Sequence, residues 1–206
     1  MKKKILATAL AMLLTAPLLL TSCSEQEPGA PDGYKLASND KVEYSLFIPS
    51  DWIVDTAKDN TMTAARVNEM LNTNITMIAF DNDGTYEVKK DEKGNSVSPV
   101  PTYWKDYQKD LERIFDLDDE GKTTFALNKD LSGKSCLIGG NSSKGKTATG
   151  YTYVYTGKIG GSELKYMQVI IYQKETFYLF TYTSVPSQYD EYLDEVEEIL
   201  TYIELP

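Results

Sequence analysis

Histidine is absent from the 206 residues, and cysteine occurs only at Cys23 and Cys136. Without histidine the sequence cannot supply a Ser-His-Asp or Cys-His catalytic site, and it lacks the commonest zinc ligand. Cys136 stands in the apolar, strand-like run SCLI, which favours a buried, inert thiol over a reactive one. The chemistry of this protein must therefore come from other side chains.

A single long apolar run, residues 5–20, follows three lysines at positions 2–4. A positive segment, a short apolar segment and small residues before a cut are typical of a signal peptide. The following LTSC, residues 20–23, resembles the bacterial lipobox, which implies cleavage before Cys23 and diacylglyceryl transfer to its thiol. The alternative is a plain transmembrane anchor, for which the run is short, since a span needs about 20 residues. We predict a lipoprotein signal peptide over residues 1–22.

Lipidation at Cys23 predicts both a location and a partner, the membrane. Each buried methylene contributes ~0.8 kcal/mol, so two or more acyl chains hold a protein durably at a bilayer. We expect a lipid-anchored protein at the cell membrane, facing outside the cytoplasm. Loss of residues 1–22 removes three lysines and no acid, leaving 18 basic against 31 acidic residues and a formal charge of −13. That balance argues against nucleic acid, which needs a basic footprint.

The mature chain divides into a tether and one domain. Residues 24–33, SEQEPGAPDG, are polar and rich in proline and glycine, so residues 23–33 are interpreted as the lipidated Cys and a flexible tether. Residues 34–206 are of a length that fits one domain. Strand patterns dominate it, with turns at Gly160-Gly161 and Lys174-Glu175.

Two segments change to a helical period. After Pro101, apolar residues recur at spacings of three and four up to Phe115, and a second such segment begins near Pro186. Two helices with strands joined by short connections predict an α+β fold in which an antiparallel sheet is flanked by helices.

Two short motifs resemble the PsbP-like family, which is named after a subunit of the photosystem II oxygen-evolving complex. These are YSLFIP at residues 44–49 followed by Trp52, and FTYTS at residues 180–184 leading into the final helix. The resemblance covers roughly residues 34–204 and implies a PsbP-like α/β/α sandwich. It implies an accessory or binding role more weakly, and none of the plant proteins' functional residues carries over to this chain. Fold alone does not assign a function.

Residues 140–147, GNSSKGKT, match the phosphate-binding pattern GxxxxGK[ST]. That loop needs a helix after it, whereas ATGYTYVY at residues 148–155 has the period of a strand. We interpret the match as a hairpin turn and expect no ATP binding and no cofactor.

Two acidic segments are weak metal candidates. Residues 81–84, DNDG, begin like a calcium loop but lack the later ligands, so a turn is favoured. Carboxylates also cluster after the first helix, where calcium is weighed against a solvated loop. This cluster comprises Asp116, Asp118, Asp119 and Glu120.

Tyrosine is abundant, with 15 residues, and Tyr151, Tyr153 and Tyr155 share one face of a strand. Such a stripe can anchor a partner if it is exposed, while buried sheet residues are the alternative. From these patterns we expect a non-enzymatic binding or assembly accessory module whose protein or small ligand is unknown. A carboxylate-based hydrolase is the alternative, because paired carboxylates need no histidine.

Overall fold

The computed structural model describes residues 29–55 and 61–206, so Cys23 and the predicted signal peptide lie outside the described residues. In chain order the elements are β1 Tyr34–Leu36, β2 Phe47–Pro49, β3 Ile53–Val54, β4 Met62–Arg66, β5 Asn74–Asp81, β6 Lys89–Lys90, β7 Ser96–Val97, α1 Val100–Ile114, β8 Ala126–Asn128, β9 Lys134–Ile138, β10 Ala148–Ile159, β11 Ser162–Gln173, β12 Thr176–Ser184, a 3-10 helix Tyr189–Glu191 and α2 Leu193–Tyr202. None of the described helices is long and apolar enough to cross a membrane.

The centre is an antiparallel sheet with the strand order β3-β4-β5-β12-β11-β10-β8, and β9 pairs with β10 beside β8. The long strands β10 and β11 have 12 residues each and are joined by Gly160-Gly161, where both glycines have positive φ. Lys174 and Glu175 join β11 to β12, also with positive φ. Both predicted hairpin turns are confirmed.

Side chains alternate across this sheet and build two separate cores. In β11, Ile170 packs with Trp104 and Phe177 in the core beneath α1. Its neighbours Val169 and Ile171 belong to the opposite core, beneath α2. The sheet is therefore covered on both faces, and the predicted α+β class with an antiparallel sheet flanked by helices is confirmed.

The first helix follows from its apolar spacing. Val100, Tyr103, Trp104 and Leu111 are buried against the sheet, and proline lies in its first turn. Proline is tolerated there because the first helical N–H groups have no intrahelical partner. The helix begins at Val100, one residue before the predicted Pro101.

The final helix begins later than Pro186 suggested. The Tyr182 hydroxyl donates a 2.8 Å hydrogen bond to the Tyr189 carbonyl and so links this segment to β12. A short 3-10 helix forms here instead, and α2 starts at Leu193.

Residues 42–48 alternate apolar and polar side chains like a strand, but they form mostly an irregular buried segment. Tyr44 and Leu46 are 3% and 0% exposed, and the Tyr44 hydroxyl donates 2.7 Å to the Met77 carbonyl. Burial, rather than sheet pairing, produces the alternation here. The segment then runs into β2, and Trp52 donates its indole N–H to Glu195 of α2 at 3.1 Å.

Candidate binding groove

A groove opens on the α2 side of the sheet, where α2 leaves β10 and β11 uncovered. We call it the β10–α2 groove and define its floor as Val154, Met167 and Tyr189, and its rim as Leu131, Lys134, Leu193 and Glu197. Its volume is about 250 Å³. Such a volume is close to the lower end of small-ligand sites and accommodates one or two apolar side chains.

The floor follows from the register of the hairpin. Val154 lies directly opposite Met167, so the two side chains point to the same face of the sheet. They are 5% and 4% exposed. The third floor residue, Tyr189, is 2% exposed and belongs to the 3-10 helix. The floor is thus apolar and rigid, because regular strands build two of its three members.

One wall carries a fixed cation. Lys165 Nζ lies 3.8 Å from the centre of the Tyr189 ring and 3.3 Å from Asp190 Oδ1. A lysine over a tyrosine face is attracted by the ring quadrupole, and the carboxylate neutralises it. Burial, followed by nearby Tyr182 and the neighbouring carboxylates, raises the pKa of Tyr189. The ring therefore stays neutral and keeps Lys165 in place.

The rim carries unpaired charges of both signs. Lys134 and Glu197 are exposed, and neither forms an ion pair with a residue in the described ranges. Helix α2 has four carboxylates and no basic residue. Of these, Glu197 lines the groove, while Glu195 accepts the Trp52 indole N–H and Glu198 accepts the Tyr202 hydroxyl. The four charged residues that line the groove balance, since Lys134 and Lys165 are matched by Asp190 and Glu197, and the acidic excess lies on the α2 surface beside the groove.

The predicted tyrosine surface is corrected by the structure. Tyr153 and Tyr155 are 4% and 2% exposed, while Tyr151 is half-buried. The Trp104 ring stacks on Tyr153 with centroids 3.9 Å apart, so α1 covers the stripe. The face of β10 that carries these tyrosines is therefore part of the core, in agreement with the alternative that they are buried sheet residues.

The acidic cluster does not gather around a cation. Asp118 Oδ1 accepts the backbone N–H groups of Glu120 and Lys122, and Glu120 pairs with Lys122 at 2.6 Å. Asp116 Oδ2 accepts the Gly161 N–H at 2.8 Å. Among residues 29–55 and 61–206, no three acidic or cysteine side chains are placed to hold a metal ion. Of the four predicted candidates Asp116, Asp118, Asp119 and Glu120, the carboxylates of Asp116, Asp118 and Glu120 thus make contacts within the protein.

The segment DNDG forms a turn, as predicted. Asp83 Oδ1 accepts the N–H of Thr85 at 3.0 Å, and Gly84 has a φ of +89°. The Thr85 hydroxyl also donates to Asp83 Oδ1, and this hydrogen bond is the main cause that lowers the pKa of Asp83. This carboxylate stabilises its own turn.

The loop that matches GxxxxGK[ST] joins two antiparallel strands, β9 and β10. Its Ser143 and Lys144 both reach Glu204, at 2.6 Å and 3.0 Å. The predicted hairpin connection is confirmed, because a strand rather than a helix follows the loop. Lys144, which occupies a variable position of the pattern, is paired with the buried Glu204, whereas Lys146, the lysine that would hold phosphate, precedes a strand and not a helix.

Cys136 lies next to the groove on β9 and is half-buried. Burial raises the pKa of its thiol, which keeps it protonated and unreactive at neutral pH.

A second cavity, also about 250 Å³, bears on the hydrolase alternative because Glu43 and Asp81 both line it. Both carboxylates are exposed, and Asp81 accepts the Thr176 hydroxyl at 3.2 Å. A general acid of this type is normally held in apolar surroundings. Because Glu43 and Asp81 are both exposed, this pair lacks the apolar surroundings of a general acid.

Sequence reasoning missed the β10–α2 groove because its members are far apart in the chain. Leu131, Val154, Met167 and Tyr189 come from four separate segments. Their proximity depends on the β10–β11 register and on where the 3-10 helix packs, which no local pattern reports.

No protein-family model matches the sequence, and no curated protein matches it. Similarity appears among solved structures. Cyanobacterial PsbP (CyanoP) from Synechocystis aligns with a TM-score of 0.53 at 13% identity, over 91% of this chain and 99% of its own. This likeness shows that the fold is PsbP-like.

Two further structures align less well. A Pseudomonas aeruginosa protein of unknown function, described as a putative regulator, has a TM-score of 0.48 at 14% identity, over 84% of this chain and 96% of its own. LpqN, involved in cell envelope biogenesis in Mycobacterium tuberculosis, has a TM-score of 0.46 at 12% identity, over 79% of this chain and 83% of its own.

Proposed function

We propose that this protein is a membrane-tethered accessory module that is lipidated on Cys23, faces outside the cytoplasm and binds a partner protein in the β10–α2 groove. The groove itself is the observation that supports binding, since it is an apolar recess left open where both faces of the sheet are otherwise covered by helices. The lipobox at residues 20–23 supports the tether.

The partner in this proposal presents an apolar side chain flanked by basic residues. The apolar floor of Val154 and Met167 suits the side chain, because burying it removes apolar area from water. The exposed carboxylates of α2 beside the groove suit the flanking charges, since complementary potentials steer encounter and fix orientation. The whole sequence has 31 acidic and 21 basic residues, and this negative net charge also attracts a basic partner at long range.

Site-directed photo-crosslinking in the native cell tests this role. A photo-reactive residue at Lys134, on the exposed rim, should give one discrete adduct whose yield falls as salt is raised. Leu131→Asp places a charge on the rim and should remove the adduct. Leu117→Asp is the matched control, because Leu117 is also exposed, at 65% against 45% for Leu131, and lies outside the groove. An adduct equally strong in both variants contradicts the proposal.

A further inference from the structure

The chain enters the domain beside the loop between β9 and β10. A Cβ placed on Gly29, the first described residue, would lie 3.4 Å from Ser143 Oγ. We call residues 139–147 the tether-side loop. It is anchored firmly, because the Gly139 and Asn141 N–H groups donate to the carbonyls of Leu200 and Thr201 at 3.0 and 2.9 Å.

The tether is short compared with the domain. Cys23 and Gly29 are six residues apart, so an extended chain between them spans at most roughly 20 Å. The strand β10 alone, with 12 residues, runs roughly 40 Å from the tether-side loop to the Gly160-Gly161 hairpin. If Cys23 is lipidated, the tether-side loop is held near the membrane while the hairpin end can point away from it.

The tether-side loop and the acidic cluster, which lie at opposite ends of β10, differ in charge. The tether-side loop contains Lys144 and Lys146 and no acidic residue. Lys144 is paired with Glu204, whereas Lys146 is exposed and forms no ion pair with a described residue. The opposite end carries the acidic cluster, since Asp116 Oδ2 accepts the N–H of Gly161 in the hairpin.

We infer that the tether-side loop lies against the lipid headgroups, with Lys146 facing headgroup phosphate, and that the acidic cluster points away from the membrane. This inference rests on the proposed lipidation of Cys23. Anionic headgroups attract basic side chains and repel the acidic end, so both ends favour the same orientation. The β10–α2 groove then opens above the membrane surface, because Val154 lies midway along β10.

Two fluorophore positions test this orientation on the full-length lipidated protein in vesicles of phosphatidylcholine and phosphatidylglycerol that contain a headgroup-attached quencher. The labels are introduced at Thr147→Cys and Ser162→Cys in a Cys136→Ser background. Both are exposed hydroxyl-bearing residues, one at each end of the long hairpin. Quenching should be several-fold stronger at position 147. Equal quenching, or stronger quenching at position 162, overturns the inference.

Charge reversal tests the role of the lysine. Loss of one lysine near an anionic surface changes the contact equilibrium by about fivefold. Lys146→Glu should therefore reduce quenching at position 147, whereas Lys158→Glu, an exposed lysine at the hairpin end, should leave it unchanged. Equal effects of the two variants overturn the contact. Failure of the wild-type protein to float with vesicles contradicts the proposed lipidation as well, whereas flotation with the wrong quenching pattern contradicts the orientation alone.

Discussion

Ser143 donates a 2.6 Å hydrogen bond to Glu204, a residue 61 positions later whose carboxylate is buried at 4% exposure. Lys144 pairs with the same carboxylate. The tether-side loop is therefore fastened to the end of the chain through a charged group. Ser143 and Lys144 thus have a structural use in the loop that connects β9 to β10.

This contact predicts a pH-dependent stability. Burial acts to raise the pKa of Glu204, but the hydrogen bonds from Ser143 and Lys144 outweigh it and lower the pKa. Because the folded-state pKa lies below the unfolded value, the carboxylate stabilises the fold above the unfolded pKa. That contribution is lost as the pH falls through the folded-state pKa.

Glu204→Gln should therefore lower the free energy of unfolding by about 1–3 kcal/mol at neutral pH. The difference from wild type should shrink in acid, below the usual glutamate range. Urea unfolding at both pH values measures it. Glu163→Gln, at an exposed carboxylate on β11, is the control and should change stability little. A Glu204→Gln effect of the same size at both pH values would contradict the assigned role.

The stack of Trp104 on Tyr153 predicts a difference between two tyrosines on one strand face. Tyr153→Ala removes a buried ring and should cost about 3–5 kcal/mol of unfolding free energy. Tyr151→Ala, at the half-buried neighbour two residues earlier, should cost clearly less. Thermal or urea unfolding of both variants checks this. Similar losses would mean that the α1 core extends over Tyr151 as well.

Position 139 requires glycine for two reasons, its backbone conformation and the close approach of neighbouring backbone atoms. Its φ is +73°, and a Cβ would lie 2.6 Å from the Lys146 carbonyl oxygen and 2.8 Å from that of Ile203. Gly160 has a φ of +59° with nothing within 4 Å of a Cβ. Gly160→Ala should thus cost about 1–2 kcal/mol, the penalty of the left-handed conformation alone. Gly139→Ala should cost more, because backbone must also move. Equal stabilities of the two variants would argue against the close approach.

The acidic cluster predicts a flat calcium titration. Asp118 already accepts two backbone N–H groups, and Glu120 is paired with Lys122. A cation would have to displace these contacts, so isothermal calorimetry should show no saturable heat at micromolar calcium. A saturable signal that Asp118→Asn abolishes would restore the metal-site hypothesis.

Much of the fold could be predicted from apolar patterns, because the buried face of α1 repeats at about 3.6 residues, and β11 and β12, which are buried on both faces, are apolar runs between turn residues. The same periodicity could not tell a core face from an exposed one. Tyr151, Tyr153 and Tyr155 alternate correctly, but their burial depends on Trp104, some 50 residues earlier. The local pattern likewise did not show that a 3-10 helix at Tyr189–Glu191 would precede α2.

The central claim, a lipid tether on Cys23, is tested most directly by metabolic labelling with a clickable fatty acid. The wild type and Cys136→Ala should both carry the lipid label and fractionate with membranes. Cys23→Ala should lose the label and leave the membrane, while its domain unfolds at the same urea concentration as the wild type. A Cys23→Ala protein that still carries the lipid label, or that stays with the membrane to the same extent, would contradict the account.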